Sequence, residues 1–512
     1  MSNTDFLHGV RTLEYDDGTK EISTVDISVI GIVGTAPDSI GATSATLATG
    51  STLADNYITW TVEEPGSNGN SYSLEIVAGD IYPATQMWDD KFDYSKIYVY
   101  SIQADGSLKL TVKMPVDANG NKLMDSEIVS SLWDMVDPLD GYSRIKTVSS
   151  GADQGEVAYL SRTYFTGGTD EPFPLNTPAV IAGSTKKAAY LGSTGTLPAD
   201  VADILNQADA MIVVVRVAEG EDASKTQTNV IAGLNQLALS KQSLDIVPRI
   251  IIAPDFSATD PVAAQIEVVA NKLRGVGYID SPVAATPADV VKRRQNYGAR
   301  IEILRPRVYT TSDTSGTPRP YSAIAAGHRC RIDNENGFWW SKSNQPIYGV
   351  TGLEQIDDFE VGSTSCTVNQ LNKNQVSTVI RYSGFRHWGN YLCSTDPQWA
   401  FECVRRTADD IEDSISIAMM NDFIDKPIDL HLGDDIIETI NAYIRYLEEI
   451  GAINGGNAWL DSELNTKESL AAGKLYINVE FAPKSPCQTI IITYRINNDY
   501  TVDEFASLLK AA

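Results

Sequence analysis

Apolar and polar positions follow two different rhythms along this 512-residue chain. Between residues 40 and 172, short β-like runs at 57–62, 72–77, 97–102 and 108–112 are separated by turn signals. Those signals are Pro65-Gly66, Asn68-Gly69, Asp105-Gly106, Asn119-Gly120 and Gly167-Gly168. Short strands at this spacing predict a β-rich unit. From 178 onward the rhythm changes. Apolar runs at 179–182, 211–217, 249–253, 278–280 and 300–304 alternate with stretches of helical period. Asp260-Pro261 and Thr286-Pro287 read as helix starts. Val262, Ile266, Val269 and Leu273 fall on one face of the first helix before Gly275 ends it. The run 22–33, rich in β-branched residues, reads as a buried strand. Strands alternating with helices predict a largely parallel α/β sheet.

Beyond 330 the pattern predicts a long helix from Asp396-Pro397 to about 422, before Lys426-Pro427. A second helix is expected near 434–450, with Ile437, Ile440, Ile444 and Leu447 on one stripe. Two strands, 474–481 and 489–496, are expected to follow. In the polar last sixteen residues Val502, Phe505 and Leu508 stand at helical spacing. Near the other end, 10–15 is a short extended stretch carrying Val10, Leu13 and Tyr15, closed by the turn signal Asp16-Asp17-Gly18-Thr19. Both ends read as arms. The fold class predicted is therefore α/β and α+β multidomain. An α/β core spans 21–39 and 173–329, a β-rich insert 40–172, a C-terminal α+β unit 330–496, and arms 1–20 and 497–512.

Composition narrows the partners. The formal charge is −27, and the 40–172 stretch holds 19 acidic against 8 basic side chains, about two-fifths of that net charge. Phosphate backbones and anionic membranes are repelled by such a surface, so no nucleic-acid contact is expected. No apolar run reaches the ~18 residues of a membrane span, so no insertion is expected either. The N-terminus lacks the basic start and apolar core of a secretory signal, which predicts folding in the cytoplasm where the chain is made. The five cysteines are odd in number and widely spaced, which predicts reduced, mostly buried thiols.

Catalytic chemistry finds little support. Gly31–Ala36 lacks the third glycine of a dinucleotide loop, Gly183-Ser184-Thr185-Lys186 lacks a phosphate loop, and no G-x-S-x-G elbow occurs. The four histidines, His8, His328, His387 and His431, are scattered and form no i, i+4 ligand pair. Asp255 follows a strand where catalytic carboxylates often sit, but Asp is also an ordinary turn residue there. No cofactor is expected, and no nucleophile, base and stabiliser can be named together. An α/β enzyme, or a surface-binding module using Trp60, Trp88 and Tyr94 of the insert, remain the alternatives to a structural role.

One stretch carries a more specific signal. Residues 381–397 hold Gly384, Phe385, Arg386, Trp388, Gly389 and Asn390, followed by Asp396-Pro397. The stretch resembles the G-F-R-x-W-G-N-R-T-x-S-x-D-P segment of phage tail sheath proteins, with Tyr391 and Leu392 replacing the usual Arg and Thr. Ala472-Gly473-Lys474-Leu475-Tyr476-Ile477 is similar to the closing strand of that family. The resemblance covers most of the chain outside 40–172. It implies a non-enzymatic subunit of a contractile tail, polymerised as stacked hexameric rings around a tail tube in the virion. Its implied partners are copies of itself, the tube protein, and baseplate and tail terminator proteins. The arms, through Val10, Leu13, Tyr15, Val502, Phe505 and Leu508, would add strands to neighbouring subunits. The receiving sheet would comprise Leu475, Tyr476 and Ile477 paired with Ile490, Ile491 and Ile492. Arm hinges are expected near Asp17-Gly18 and Asn497-Asn498. Arg405, Arg406 and Lys426 are the candidates for contact with an acidic tube.

Overall fold

The computed structural model describes residues 22–52, 57–62, 64–76, 98–102, 108–113, 134–136, 143–150, 160–311 and 316–510. The first strand, β1 (Ile30–Thr35), is followed by β2 (Thr46–Thr49), β3 (Ile58–Val62), β4 (Tyr72–Ile76), β5 (Tyr98–Ile102) and β6 (Leu108–Lys113). Next come β7 (Asp134–Val136), β8 (Ser143–Ser150) and β9 (Leu160–Tyr164). Strands β2–β9 form two four-stranded antiparallel sheets, in the orders β2-β3-β8-β7 and β6-β5-β4-β9. Trp60 on β3 is buried and donates its indole N–H to Thr49 Oγ1 at 3.0 Å. It is therefore a core residue and not the exposed aromatic that a surface-binding insert would need. Trp88 and Tyr94 lie outside the described residues.

The chain then alternates: β10 (Pro178–Ala182), α1 (Thr185–Ala188), α2 (Leu197–Leu205), β11 (Met211–Val217), α3 (Ala223–Leu237), α4 (Ser240–Leu244), β12 (Ile250–Ile252), α5 (Asp260–Lys272), β13 (Val276–Asp280), α6 (Pro287–Arg294), β14 (Ile301–Leu304), β15 (Val308–Thr310), α7 (Ser322–Asn336), β16 (Val350–Leu353), α8 (Thr367–Lys373), β17 (Val376–Arg381) and β18 (Phe385–Trp388). Eight of these strands make one sheet, ordered β10-β11-β1-β12-β13-β14-β17-β18. Its interior pairings are parallel and its two outermost pairings antiparallel. Successive side chains of β1 and β11 enter opposite cores. Ile30, Ile32, Ile212 and Val214 face α2 and α7, whereas Val33, Val213 and Val215 face α3 and α5. Burial on both faces explains why these strands read as continuous apolar runs.

Two expectations need correction here. The strand expected from Ile22 starts only at Ile30. Residues 22–28 instead run extended against α7 and the following helical unit, held by side chains: Cys330 donates to Ser28 O and Arg406 to Ile27 O. A domain boundary at 329/330 falls inside α7, and β17 and β18 extend the large sheet. The C-terminal unit therefore begins after β18, because Val376 and Ser377 pair with β14 instead of starting a new layer.

The remaining elements are α9 (Glu402–Asp422), α10 (Leu430–Glu449), β19 (Ile453–Leu460), α11 (Lys467–Ala471), β20 (Ile477–Pro483) and α12 (Asp499–Lys510). Asp396 caps only a three-residue 3-10 turn, and α9 begins after it at Glu402. Helix α10 is capped by Asp429, whose side chain accepts the Leu432 N–H, so it starts a turn earlier than its apolar stripe. Ile411, Ile436, Ile440, Ile444, Leu447 and Ile453 join Ile22 and Ile27 in a third core.

Candidate assembly surface

The 381–390 motif is a hairpin with a tightly specified exit. Ser383 and Gly384 both adopt positive φ, at 49° and 105°, and turn β17 into β18. Arg386 is half-buried. It clamps the turn by donating to Tyr382 O at 2.9 Å and to Asn344 O at 2.6 Å. Trp388 meets Phe359 edge-on, 5.2 Å between centroids. Gly389 has φ 152°, and a Cβ there would lie 2.3 Å from Ser377 Oγ and 2.7 Å from Ser377 Cα. Gly389→Ala should therefore cost about 1–3 kcal/mol of stability, read as a lower denaturant midpoint. An unchanged midpoint would mean the Ser377 backbone can move aside. Asn390 then joins three elements. Its carbonyl accepts the Glu402 N–H, and its side-chain oxygen lies 3.4 Å from Gln488 Nε2.

The other edge of β18 is occupied by residues 344–347. Asn344 and Ile347 N–H groups donate to His387 and Phe385 carbonyls, and the His387 N–H donates to Gln345 O. Beneath the hairpin lies a sealed charge network. Lys342 sits between Glu302 and Glu402, at 2.5 and 3.1 Å, with its ammonium 3.8 Å from the Tyr278 ring centroid. Arg329 and Arg406 converge on Asp333, each at 2.6 Å. The three acids and three bases balance. Burial pushes the Glu302 carboxyl up, but Lys342 and His387 outweigh it and hold it below the usual range. Asp333 is likewise held down, with Arg329 and Arg406 overcoming its burial. His387 is pushed down by burial, so it is neutral. Its Nδ1 accepts from Tyr321 OH at 2.8 Å, which leaves Nε2–H directed to Glu302, 3.3 Å away. His328 is its ring neighbour at 5.9 Å, so histidines that are scattered in sequence meet in space. Every charged side chain of this network is at most 3% exposed, so it braces the body and offers no surface to a solute.

The tube-facing candidates separate clearly. Arg406 is buried in that network, which removes it from any surface. Arg405 pairs with Asp409 at 2.6 Å and lies over the Trp399 ring, 4.5 Å from its centroid. Lys426 is exposed. Asp255 is paired with Arg307 at 2.9 Å, where it closes a turn with φ 64°. Among the described residues, no three His, Cys, Asp or Glu side chains gather as metal ligands, and no helix is long and apolar enough to cross a membrane.

The expected receiving sheet is also corrected. Strand β20 pairs with β19, not with 489–496. Leu475 and Tyr476 precede β20, and Ile477 opens it. Residues 484–498 form no regular element before α12. Ile490, Ile491, Ile492, Tyr494 and Ile496 are 75, 88, 64, 85 and 95% exposed. Tyr391 holds the root of this segment, donating from its hydroxyl to Gln488 at 2.5 Å while stacking on Phe401. The exposed chain thus starts just past Gln488, upstream of the hinge expected at Asn497-Asn498. In α12 Phe505 is 63% exposed; Val502 and Leu508 occupy the same helix. Val10, Leu13 and Tyr15 lie outside the described residues.

The two edges of the small sheet differ. Asn441 of α10 donates to Ala458 O at 3.2 Å and accepts the Ala458 N–H at 2.7 Å, which occupies the outer edge of β19. No described strand pairs with the outer edge of β20. Since Ala458 turns its main chain to Asn441, its partner Val479 turns its own away from β19. An Asn in the middle of a helix, one turn from an apolar stripe, carries no sequence signal for this role.

Among the described residues, a sealed charge network, a β20 edge without a strand partner and a long exposed apolar segment suit a subunit that assembles with others. Comparison with known proteins agrees. Residues 394–497 match the family described as the phage tail sheath C-terminal domain. The tail sheath protein of Escherichia phage P2 is 34% identical over 356 residues, covering 66% of this chain and 89% of that protein. The tail sheath protein of Burkholderia phage BcepMu is 27% identical over 514 residues, 97% of this chain and 98% of the relative. The fold is shared with a chain of the anti-feeding prophage baseplate in the contracted state, with TM-score 0.54 at 16% identity, covering 64% of this chain and 90% of the other. It is also shared with a chain of the contracted PVC sheath complex of an extracellular contractile injection system, with TM-score 0.52 at 17% identity, covering 64% and 89%. The chain belongs to the tail sheath protein family, and it is a structural subunit, not an enzyme.

Proposed function

We propose that this subunit polymerises as stacked six-fold rings wound around a tail tube, and that contraction of the polymer drives the tube through the host envelope. The observation that carries the reading is the pairing of opposites on one subunit: among the described residues, a β20 edge and an exposed β-branched segment at 489–496 both have no strand partner. An unpaired edge and an unpaired strand each leave main-chain groups without partners, and strand addition between copies satisfies both. Two strands alone are marginal, so added strands complete the β19–β20 unit. The N-terminal residues 1–20 act as the second arm.

The organisation that fits is an α/β body at 22–39 and 173–390, the insert at 40–172 on the outer, hydrated side, a C-terminal unit at 391–483, and an arm from 484. Lys426 is the remaining tube-facing candidate. Further partners are the tube, baseplate and terminator proteins, with assembly in the host cytoplasm and residence in the virion tail. Contraction moves from a metastable packing to a lower one and consumes no nucleotide.

Electron microscopy of the purified chain tests the reading. Hollow striated cylinders are expected, because strand addition needs only other copies. A protein that stays monomeric at high concentration, with and without a tube protein, overturns it.

A further inference from the structure

Where the N-terminal segment leaves the body, it crosses a buried polar cluster that the network around Lys342 does not explain. Asp410 on α9 is fully buried, yet its Oδ1 has no hydrogen-bond partner. Its Oδ2 accepts from Tyr443 OH on α10 at 3.3 Å. Ser414 and Thr24 lie beside the same hydroxyl. Ser414 Oγ accepts the Val25 N–H at 3.0 Å. The chain at 24–25 is thus fastened to α9 through Ser414 and lies against the Asp410–Tyr443 pair that joins α9 to α10. On either side of that point Ile22 and Ile27 are buried in the third core. An orphan oxygen on a buried carboxylate is costly, whereas a buried carboxylic acid is tolerated.

We propose that Asp410 and Tyr443 form a proton-dependent clasp that sets how firmly residues 22–28, the root of the N-terminal arm, hold to the helical unit. With Asp410 protonated the cluster is neutral and closed. With Asp410 ionised, its Tyr443 hydrogen bond strengthens, but a buried charge with one oxygen unpartnered demands water, and the clasp loosens to admit it. The charged groups around it are mixed. The Tyr443 hydrogen bond from α10, Arg406 on the same helix and Arg249 at the start of β12 favour the ionised form, Asp413 opposes it, and burial outweighs those that favour it. Asp410 is accordingly pushed up to about 7 from its ordinary 3.8, by burial first.

The sign follows from that direction. A carboxyl whose pKa is higher in the closed state binds more protons closed than open. Its contribution is therefore full in acid and is lost as pH rises through about 7. Lowering pH tightens the arm root, and raising it releases the root. The functional meaning rests on reading residues 1–20 as an exchange arm; the clasp itself does not.

Hydrogen–deuterium exchange of the peptide covering 22–30 in the full-length protein, corrected for intrinsic exchange, tests it. Protection in the wild type should fall about tenfold between about pH 6 and about pH 8. Asp410→Asn, uncharged at every pH, should keep its protection across that range. Ser414→Ala should lose protection at both pH values yet retain the step. Flat protection in the wild type, or the same step in Asp410→Asn, overturns the proposal. The wild-type series needs no variant to fold. Truncating residues 1–20 separately tests the arm: assembly that survives the truncation discards the arm and leaves the clasp standing.

Discussion

A chain ending at Gln488 should fold, stay monomeric and form no sheath. The residues removed contribute almost nothing to the body. Ile490, Ile491, Ile492, Tyr494 and Ile496 are at least 64% exposed, and their main chain joins no described sheet. Loss of such side chains from a monomer changes stability by less than about 0.5 kcal/mol. In an assembly the balance reverses. Burying one isoleucine against a neighbour contributes about 1.5–3 kcal/mol, and the added strand also satisfies the β20 edge. A single Ile491→Lys change should therefore raise the concentration needed for polymerisation by roughly tenfold to a hundredfold, with an unchanged denaturant midpoint. Sedimentation and microscopy across a concentration series measure both. Normal cylinders from the truncated chain would place the assembly contacts elsewhere.

Lys342→Met should destabilise the folded subunit by about 3–5 kcal/mol, the largest effect expected of a single substitution. The methionine fills similar space, so no cavity accounts for the loss. What changes is that Glu302 and Glu402 lose the ammonium both contact, and neither can reach water. The pH dependence gives the diagnosis. Glu302 is held below its ordinary value in the wild type, so its contribution is present above the unfolded pKa and disappears as pH falls through the folded one. The gap between variant and wild type should close in acid, where the stranded carboxyls take up protons. A gap that is constant with pH would trace the loss to packing instead.

These expectations depend on features of unequal legibility. The parallel strands at Met211–Val217 and Ile250–Ile252 read correctly because burial on both faces makes them almost wholly apolar, whereas the run before Ile30 carried the first strand too far. Helices α5 and α6 read correctly because Pro at the first turn is a local signal, although only α6 has a side-chain cap, from Thr286. Strand β19 was invisible. Its Gly455-Gly456 breaks the apolar pattern, and the reason is long-range: a Cβ on Gly456 would sit 2.4 Å from Glu480 O. Residues 489–496 look like a strand of the body because a β-branched run has the same pattern whether its partner is its own chain or another. The charge network was missed because Lys342 meets acids 40 and 60 residues away, and an isolated lysine in sequence reads as solvated. The 381–390 motif was legible as a pattern, but not the reasons for it: Gly389 against Ser377, and Asn390 joining the sheet to α9 and to Gln488.

The Asn441 contact with Ala458 has a consequence for the polarity of growth. A small sheet open on both sides could accept a strand from a copy at either edge, so neighbours could be joined in more than one way. With the β19 side filled from within, each copy has one socket and one plug. Contacts of that kind are head to tail, so they close only when the rotation between neighbours completes a circle, and otherwise continue as a helix. One amide side chain thereby leaves a single socket for the donated strand and gives the polymer one direction of growth.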